Sequence, residues 1–179
     1  SQAAETADLE RFLAAAASAI VPPLALASLL APATLIAAGD RPALPGPPPL
    51  GQSIAVARDV AFAFAYPAQL EAWRRAGASL SFFSPLANEA PDPAADAVFL
   101  PGGYPELHAG RLAENRHYQE ALRRAADRGA IVYGECGGYM ALGESLTDAE
   151  GMVHPMAGLL PVATSFAALP PEVKAYARR

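Results

Sequence analysis

The chain has 179 residues, of which 53% are hydrophobic and 17% are charged, and its formal net charge is −5. This length fits one domain, or one domain and part of another, with ample apolar material for a core. An acidic chain without a basic patch argues against nucleic acid as a partner. The single cysteine excludes an internal disulfide framework and fits the reducing cytoplasm, where we expect the protein to reside.

Residues 1–37 form the first section of the chain, and this section is predicted to be helical. Apolar side chains recur at near-helical spacing over residues 6–20, two prolines end this helix, and residues 24–30 can start another. The apolar run 14–38 is interrupted by prolines and lacks a basic flank, so we expect neither a signal peptide nor a membrane span. The apolar positions of the first helix are Leu9, Phe12, Leu13 and Ile20.

Residues 38–52 are predicted to be a linker. Proline and glycine dominate residues 39–49, which can therefore form neither a helix nor a central strand and are expected to be extended. A domain boundary is expected in this segment.

Strands and helices alternate over the third section, residues 53–179. Because near-continuous apolar strands that alternate with helices are typical of a buried parallel sheet, we expect an α/β domain with helices on both faces of its sheet. Binding sites of such sheets lie at the carboxyl ends of the strands. The predicted strands are residues 53–57, 79–83, 97–100 and 130–133. The predicted helices are residues 67–77, with Leu70, Trp73 and Ala76 facing inwards, and residues 112–128, with Gly129 as the C-cap.

The only cysteine, Cys136, comes directly after the last predicted strand and before a predicted helix. This is the layout of a nucleophile elbow, in which a strained turn projects the nucleophile outwards. Gly134 and Gly138 leave room for that turn because neither has a Cβ atom. Unpaired N–H groups at the start of the helix favour a thiolate, and the Gly137 N–H can donate to an oxyanion. A buried structural cysteine is the alternative interpretation.

A second loop, residues 101–106 with the sequence Pro-Gly-Gly-Tyr-Pro-Glu, follows the strand at 97–100 and is expected at the same edge of the sheet. Its two glycines allow the backbone to bring N–H groups close to a ligand. Gly103 is predicted to supply a second oxyanion donor beside Gly137. An ordinary turn after a strand is the alternative interpretation.

Together the two loops resemble those of the class I glutamine amidotransferases, and more narrowly the amidotransferase domain of the cobyrinic (hydrogenobyrinic) acid a,c-diamide synthase family. The resemblance implies a flavodoxin-like fold that is incomplete at its C-terminus in this chain. It also implies that residues 1–37 are the helical tail of a preceding ATP-dependent synthetase domain and that residues 53–179 are a partial amidotransferase domain. The stretches that carry the resemblance are residues 101–106 and 134–140, supported by residues 55–62, 82–86 and 151–161.

The resemblance implies that the protein is a glutamine-hydrolysing amide ligase of cobalamin biosynthesis. Cys136 would attack the side-chain amide of glutamine and release ammonia through a glutamyl thioester. Gly103 and Gly137 would hold the tetrahedral oxyanion. The residues expected to bind the substrate are Gly102, Tyr104 and Glu135.

The resemblance further implies that the ammonia reaches the synthetase domain, where ATP and Mg²⁺ activate acetate side chains of a corrin acid. The chain contains no Gly-x-x-x-x-Gly-Lys-Ser/Thr phosphate loop. We therefore expect this chain to bind neither ATP nor a metal ion itself. Its expected partners are glutamine and, through the synthetase domain, the corrin acid; association into a homodimer remains open.

A cysteine nucleophile of this kind needs a base within hydrogen-bond reach, and the resemblance places that base on a histidine well downstream of the cysteine. His117 is predicted to be a solvated residue of a charged helix. His108 follows the glycine loop and His154 falls in a predicted turn, and neither matches the histidine of the family. We therefore expect a truncated chain that lacks the catalytic histidine and is inactive alone.

Two other functions remain open from the sequence. One is a different cysteine hydrolase of similar fold, although some of those enzymes place histidine directly after the nucleophile, where Gly137 stands here. The other is a non-catalytic docking domain, which the missing histidine would fit.

Overall fold

The computed structural model describes residues 8–20, residue 31 and residues 46–167 of the chain. Residues 8–20 and residue 31 belong to one compact unit, and residues 46–167 belong to another. In the first unit, helix α1 spans Leu9–Ile20, and the Asp8 carboxylate accepts a hydrogen bond from the Arg11 N–H at its start (3.1 Å). The predicted helix at 24–30 and the first part of the predicted linker lie outside the described residues.

Strands and helices alternate along the second unit, as the sequence predicts. In the described part of this unit, which ends at residue 167, three short strands after the last helix form a small second sheet. Within the described residues, no helix is long and apolar enough to cross a membrane. The elements are β1 (Ser53–Ala57), α2 (Pro67–Arg75), β2 (Ser79–Phe83), β3 (Ala97–Leu100), α3 (Ala109–Glu114), α4 (Arg116–Asp127), β4 (Ile131–Gly134), α5 (Gly137–Ala141), β5 (Ser145–Thr147), β6 (Val153–Pro155) and β7 (Ala163–Ser165).

The main sheet has four parallel strands in the order β2-β1-β3-β4. Val56 of β1 lies between Phe82 of β2 and Phe99 of β3, and Phe99 is in register with Tyr133 of β4. The strands β1 and β3 occupy the two central positions and are buried on both faces, which explains their continuous apolar sequences. The predicted α/β class and parallel sheet are confirmed, with β4 beginning and ending one residue later than predicted.

Each face of the main sheet packs against its own apolar core, because successive residues of a strand point to opposite faces. On one face, Trp73 of α2 meets Phe99 edge to face, with 5.4 Å between the ring centroids. The core on that face contains Ile54, Val56, Leu70, Trp73, Ala97 and Phe99. The core on the other face includes Ala55, Val98, Leu100, Leu112, Leu122 and Ala125.

The predicted helix over residues 112–128 is wrong in two respects, because the helical segment begins at Ala109 and Asn115 divides it into α3 and α4. Asn115 has non-helical backbone angles (φ −78°, ψ 68°), and its side-chain amide donates to the carbonyl oxygens of Pro85 (2.8 Å) and Leu86 (3.2 Å). These contacts to the loop after β2 favour a break that helical periodicity does not reveal. The C-cap of α4 is Arg128 rather than the predicted Gly129, which follows it with the positive φ (+84°) typical of a glycine that ends a helix.

The sequence predicts that Ala76 faces the core with Leu70 and Trp73, and this prediction is wrong because Ala76 is exposed. Helix α2 ends at Arg75, and Gly77 adopts a positive φ of 96° that turns the chain towards β2. Leu70 and Trp73 are buried as predicted.

The prediction that His154 lies in a turn is also wrong, since it lies in strand β6. The small sheet has the order β6-β5-β7, in which β6 is antiparallel to β5 and β7 is parallel to it. The turn lies earlier, where Asp148 accepts a side-chain hydrogen bond from the Met152 N–H (2.8 Å) and Gly151 has φ +87°. His154 then pairs with Leu146 of β5.

Asp96 joins the amino ends of β1 and β3. Its carboxylate accepts hydrogen bonds from the backbone N–H groups of Gln52 (3.0 Å) and Ser53 (2.9 Å), and its own N–H donates to the Ser53 carbonyl (3.0 Å). The hydrogen bonds from Ser53 and then Gln52 hold the pKa of Asp96 below its ordinary value. Asp96 thus fixes the register at which two central strands begin.

We predict that Asp96→Ala lowers the free energy of unfolding at neutral pH, because two backbone N–H groups lose a charged acceptor. A carboxylate with a lowered folded-state pKa contributes stability above its unfolded pKa of about 3.9 and loses it as pH falls through the folded value. The difference from wild type should therefore shrink in acid, which urea unfolding at neutral and acid pH measures. Asp92→Ala is the matched control, because Asp92 accepts one local bond from the Ala94 N–H (2.8 Å); an equal loss from Asp96→Ala at every pH would contradict the prediction.

Candidate active site

Cys136 lies in the turn between β4 and α5, at the carboxyl edge of the main sheet. Its backbone has φ 49° and ψ −113°, and the residue is exposed. A non-glycine residue in this region carries a strain of about 1–3 kcal/mol, which persists only where the surroundings hold it. The predicted strained strand-to-helix turn is therefore confirmed, and the alternative of a buried structural cysteine is wrong.

Two glycines allow the elbow to pack directly on the neighbouring strand. A Cβ atom on Gly138 would overlap the carbonyl oxygen of Leu100, and one on Gly134 would lie 2.6 Å from the carbonyl carbon of Gly138. Glu135 donates its N–H to the same Leu100 carbonyl (3.1 Å), and Gly138 donates to the carbonyl of Glu135 (2.8 Å). Backbone therefore lies against backbone at this point, and larger residues would displace Cys136.

The glycine loop after β3 lies beside this elbow. A Cβ atom on Gly102 would stand 3.3 Å from the Cβ atom of Cys136, and one on Gly137 would stand 3.0 Å from the nitrogen of Gly103. Within residues 46–167, neither the Gly103 N–H nor the Gly137 N–H donates a hydrogen bond to a backbone acceptor outside its own helix or strand. The structure thus brings together a thiol and two amide groups, the set that acyl transfer through a tetrahedral oxyanion requires.

The remaining residues predicted to bind substrate lie around this group. Tyr104 and Glu135 are half-buried and adjoin the glycine loop and Cys136 along the chain. The Tyr104 ring packs edge to face against Phe64, with 5.2 Å between the centroids. The roles of Tyr104 and Glu135 toward a substrate stay predictions.

Phe64 is a residue of this region that the sequence reasoning missed. Its N–H donates to the Gly102 carbonyl (2.9 Å), and its ring carbon Cδ2 would lie 3.3 Å from a Cβ atom on Gly102. Phe64 belongs to the loop after β1, which ends at the same edge of the sheet as the two predicted loops. The sequence could have indicated Phe64 through its position after β1, because every loop at the carboxyl edge of a parallel sheet is a candidate for the site.

Within residues 46–167, the one histidine with a side-chain hydrogen bond is His154. The His154 Nε2 atom forms a hydrogen bond with Oδ2 of the Asp148 carboxylate (2.7 Å). This hydrogen bond holds the pKa of Asp148 below its ordinary value. A cavity of about 360 Å³ beside His154 is lined by Glu106, Leu107, Ala109, Gly110, Asp148, Ala149 and Glu150, and Cys136 does not line it. His117 is exposed on α4, as predicted, and His108 is half-buried at the end of the short turn after Tyr104.

Residues 53–177 match the family described as CobB/CobQ-like glutamine amidotransferase domain. The hydrogenobyrinate a,c-diamide synthase of Brucella anthropi is 56% identical over 170 residues, which cover 93% of this chain and 38% of that protein. The enzyme of the same name from Rhodobacter capsulatus is 53% identical over 170 residues, covering 92% of this chain and 37% of the relative. The hydrogenobyrinate a,c-diamide synthase of Brucella abortus is 66% identical over 119 residues, which cover 66% of this chain and 27% of that protein. The chain therefore spans less than two fifths of the length of these curated relatives.

We predict that Gly138→Ala destabilises the protein by about 3 kcal/mol or more, because overlap with backbone is costlier than ordinary overpacking. Gly110→Ala is the matched control, since Gly110 is also helical and an added Cβ would meet only the His154 ring, with Cε1 at 3.5 Å and Nδ1 at 3.8 Å. Alanine there should be neutral or stabilise by up to about 1 kcal/mol, because it is the better helix former. Urea unfolding measures both variants, and equal stabilities would show that the elbow tolerates a side chain.

Proposed function

The chain belongs to the CobB/CobQ-like glutamine amidotransferase domain family, and on this premise we propose that Cys136 hydrolyses glutamine to supply ammonia to a corrinoid a,c-diamide synthase. The observation that carries the proposal is the strained Cys136 beside the amide groups of Gly103 and Gly137. The relatives named as hydrogenobyrinate a,c-diamide synthases support the acceptor class. A cytoplasmic location is part of the proposal, because the lone cysteine fits a reducing compartment.

In the proposed reaction, the Cys136 thiolate attacks the carbonyl carbon of the glutamine side chain and forms a C–S bond. The carbonyl oxygen takes up negative charge, which the N–H groups of Gly103 and Gly137 stabilise. The C–N bond then breaks, the nitrogen takes a proton and leaves as ammonia, and a glutamyl thioester remains. Water hydrolyses the thioester to glutamate and restores the thiol.

The proton that the leaving nitrogen takes requires an acid–base residue. His154 is the one histidine of the sequence that follows Cys136, and its Nε2 pairs with Asp148. We propose that His154 is a structural residue of the small sheet. The base is then the histidine well downstream of the cysteine that the family resemblance implies. The 179-residue chain is then a partial amidotransferase domain.

We propose that ATP and Mg²⁺ act in a synthetase domain that precedes this one, with residues 1–37 as its tail and residues 38–52 as the linker. The residues of this chain do not fit that role. The sequence has no phosphate loop, and among the described residues no group of three or more His, Cys, Asp or Glu could hold a metal ion. The thiol chemistry of Cys136 requires neither ATP nor a metal.

We predict that Cys136→Ser in the full-length synthase abolishes amidation with glutamine but leaves amidation with ammonium salts. The thiol is needed only to make ammonia, and free ammonia can attack the activated carboxylate in the other domain directly. Product formation from a corrin acid, measured with each nitrogen donor, tests this. Gly110→Ala is the control and should leave both activities. Equal loss of both activities in Cys136→Ser would show that the cysteine has a structural role. If the wild type amidates no corrin acid with either nitrogen donor, the proposed acceptor is refuted.

We also predict that the 179-residue chain alone releases little or no ammonia from glutamine. The reason is the missing base, since loss of one member of a catalytic triad lowers the rate by orders of magnitude, about 10³-fold or more. Ammonia release is measured with the isolated chain and with the full-length protein. A rate near that of the full-length protein, lost on His154→Ala, would show that His154 is the base.

A further inference from the structure

Asp59, in the loop after β1, connects two loops at the carboxyl edge of the main sheet. Its Oδ1 atom accepts a hydrogen bond from the Ala61 N–H (2.9 Å), within its own loop. Its Oδ2 atom accepts from the Ser84 hydroxyl (2.9 Å) and from the Leu86 N–H (2.8 Å), both in the loop after β2. One carboxylate therefore holds the short turn Val60–Phe62 and connects it to the loop after β2.

The turn that Asp59 holds lies directly against the glycine loop of the proposed oxyanion hole. A Cβ atom on Gly103 would overlap the Ala61 carbonyl oxygen and would stand 3.0 Å from the Cα atom of Phe62. Three residues after Ala61, Phe64 donates its N–H to the Gly102 carbonyl (2.9 Å). The position of the Gly103 amide is therefore set by packing and a hydrogen bond from the loop that begins at Asp59.

From these contacts we propose that Asp59 is a positioning residue for the oxyanion hole and acts through Ala61 on the Gly103 amide; this rests on the proposed function of Cys136. An oxyanion donor works only when it lies about 2.7–3.1 Å from the developing charge. A displacement of about 1 Å can lower a rate about 10²-fold, even when its cause lies outside the reacting groups. Asp59 itself touches neither Cys136 nor the glycine loop in these contacts.

The chemistry of a carboxylate explains why aspartate suits this position. Both oxygens accept, so donors from two loops can be satisfied at once, whereas an asparagine offers one accepting oxygen and one NH2 group that only donates. With Asn at position 59, either the Ala61 N–H or the Leu86 N–H would face a donor, and the turn would shift. The carboxylate also lies near buried Tyr118, whose pKa is raised by burial first and by the charge of Asp59 second.

The test uses Asp59→Asn and Asp59→Ala in the full-length synthase. We expect kcat for glutamine-dependent amidation to fall about 10-fold in Asp59→Asn and about 10²-fold in Asp59→Ala. KM for glutamine should change little, because the oxyanion hole acts on the tetrahedral intermediate rather than on bound substrate. The rate with ammonium salts should be unchanged. Alkylation of Cys136 by iodoacetamide should also be unchanged, because displacement of iodide creates no oxyanion.

Ser84→Ala is the matched control, because it removes one donor to Asp59 on the β2 side and leaves the bond to Ala61. We expect its kcat with glutamine to stay within about twofold of wild type, even where its urea midpoint falls as far as that of Asp59→Asn. If Asp59→Ala does not fold, the comparison of Asp59→Asn with Ser84→Ala decides the question.

Equal effects of Asp59→Asn and Ser84→Ala on kcat, in proportion to lost stability, would overturn the proposal and leave Asp59 a purely structural residue. A wild-type kcat in Asp59→Asn would overturn it as well. Failure of the proposed function has a separate signature: wild type would not use glutamine, or Cys136→Ser would retain glutamine-dependent amidation.

Discussion

The close approach of backbone to backbone at the carboxyl ends of β3 and β4 is the constraint on which the candidate site depends. Gly138 lies against the Leu100 carbonyl and Gly103 against the Ala61 carbonyl, with no space for a Cβ atom at either position. This packing keeps Cys136 at a positive φ of 49°, a conformation that a freer turn would relax. Because the buried strand β3 supplies the Leu100 carbonyl and the turn after β1 supplies the Ala61 carbonyl, the geometry of the thiol depends on neighbouring segments as well as on its own loop.

Two aspartates hold the opposite ends of this sheet by the same physical means. Asp96 accepts backbone N–H groups where β1 begins, and Asp59 accepts them where β1 has ended. The ends of parallel strands leave backbone donors that the ladder does not satisfy, and a carboxylate satisfies two or three of them together. Only the carboxyl end leads to the candidate site, which gives the two aspartates different consequences for function although their hydrogen bonds are alike.

The described residues bring Cys136 and the amide groups of Gly103 and Gly137 together from two loops at one edge of the sheet. The small sheet contributes a different feature, the hydrogen-bonded pair of His154 and Asp148 beside a separate cavity. His154 follows Cys136 in the sequence, and in the structure its backbone pairs with Leu146 of β5 while its ring pairs with Asp148. Membership of the amidotransferase family and the geometry of Cys136 are consistent with one another, and they rest on independent observations.

The sequence alone determined the features that depend on near neighbours along the chain. The apolar runs at Ser53–Ala57, Ser79–Phe83 and Ala97–Leu100 predicted three strands to the residue, and the glycines around Cys136 predicted the elbow. Tertiary structure decided the break at Asn115, the strand at His154, the contact of Phe64 with the glycine loop and the hydrogen bonds by which Asp59 joins two loops. Each of these depends on a hydrogen bond or a close contact with a distant segment. Local spacing carries no information about such partners, because they meet only when the sheet brings its loops to one edge.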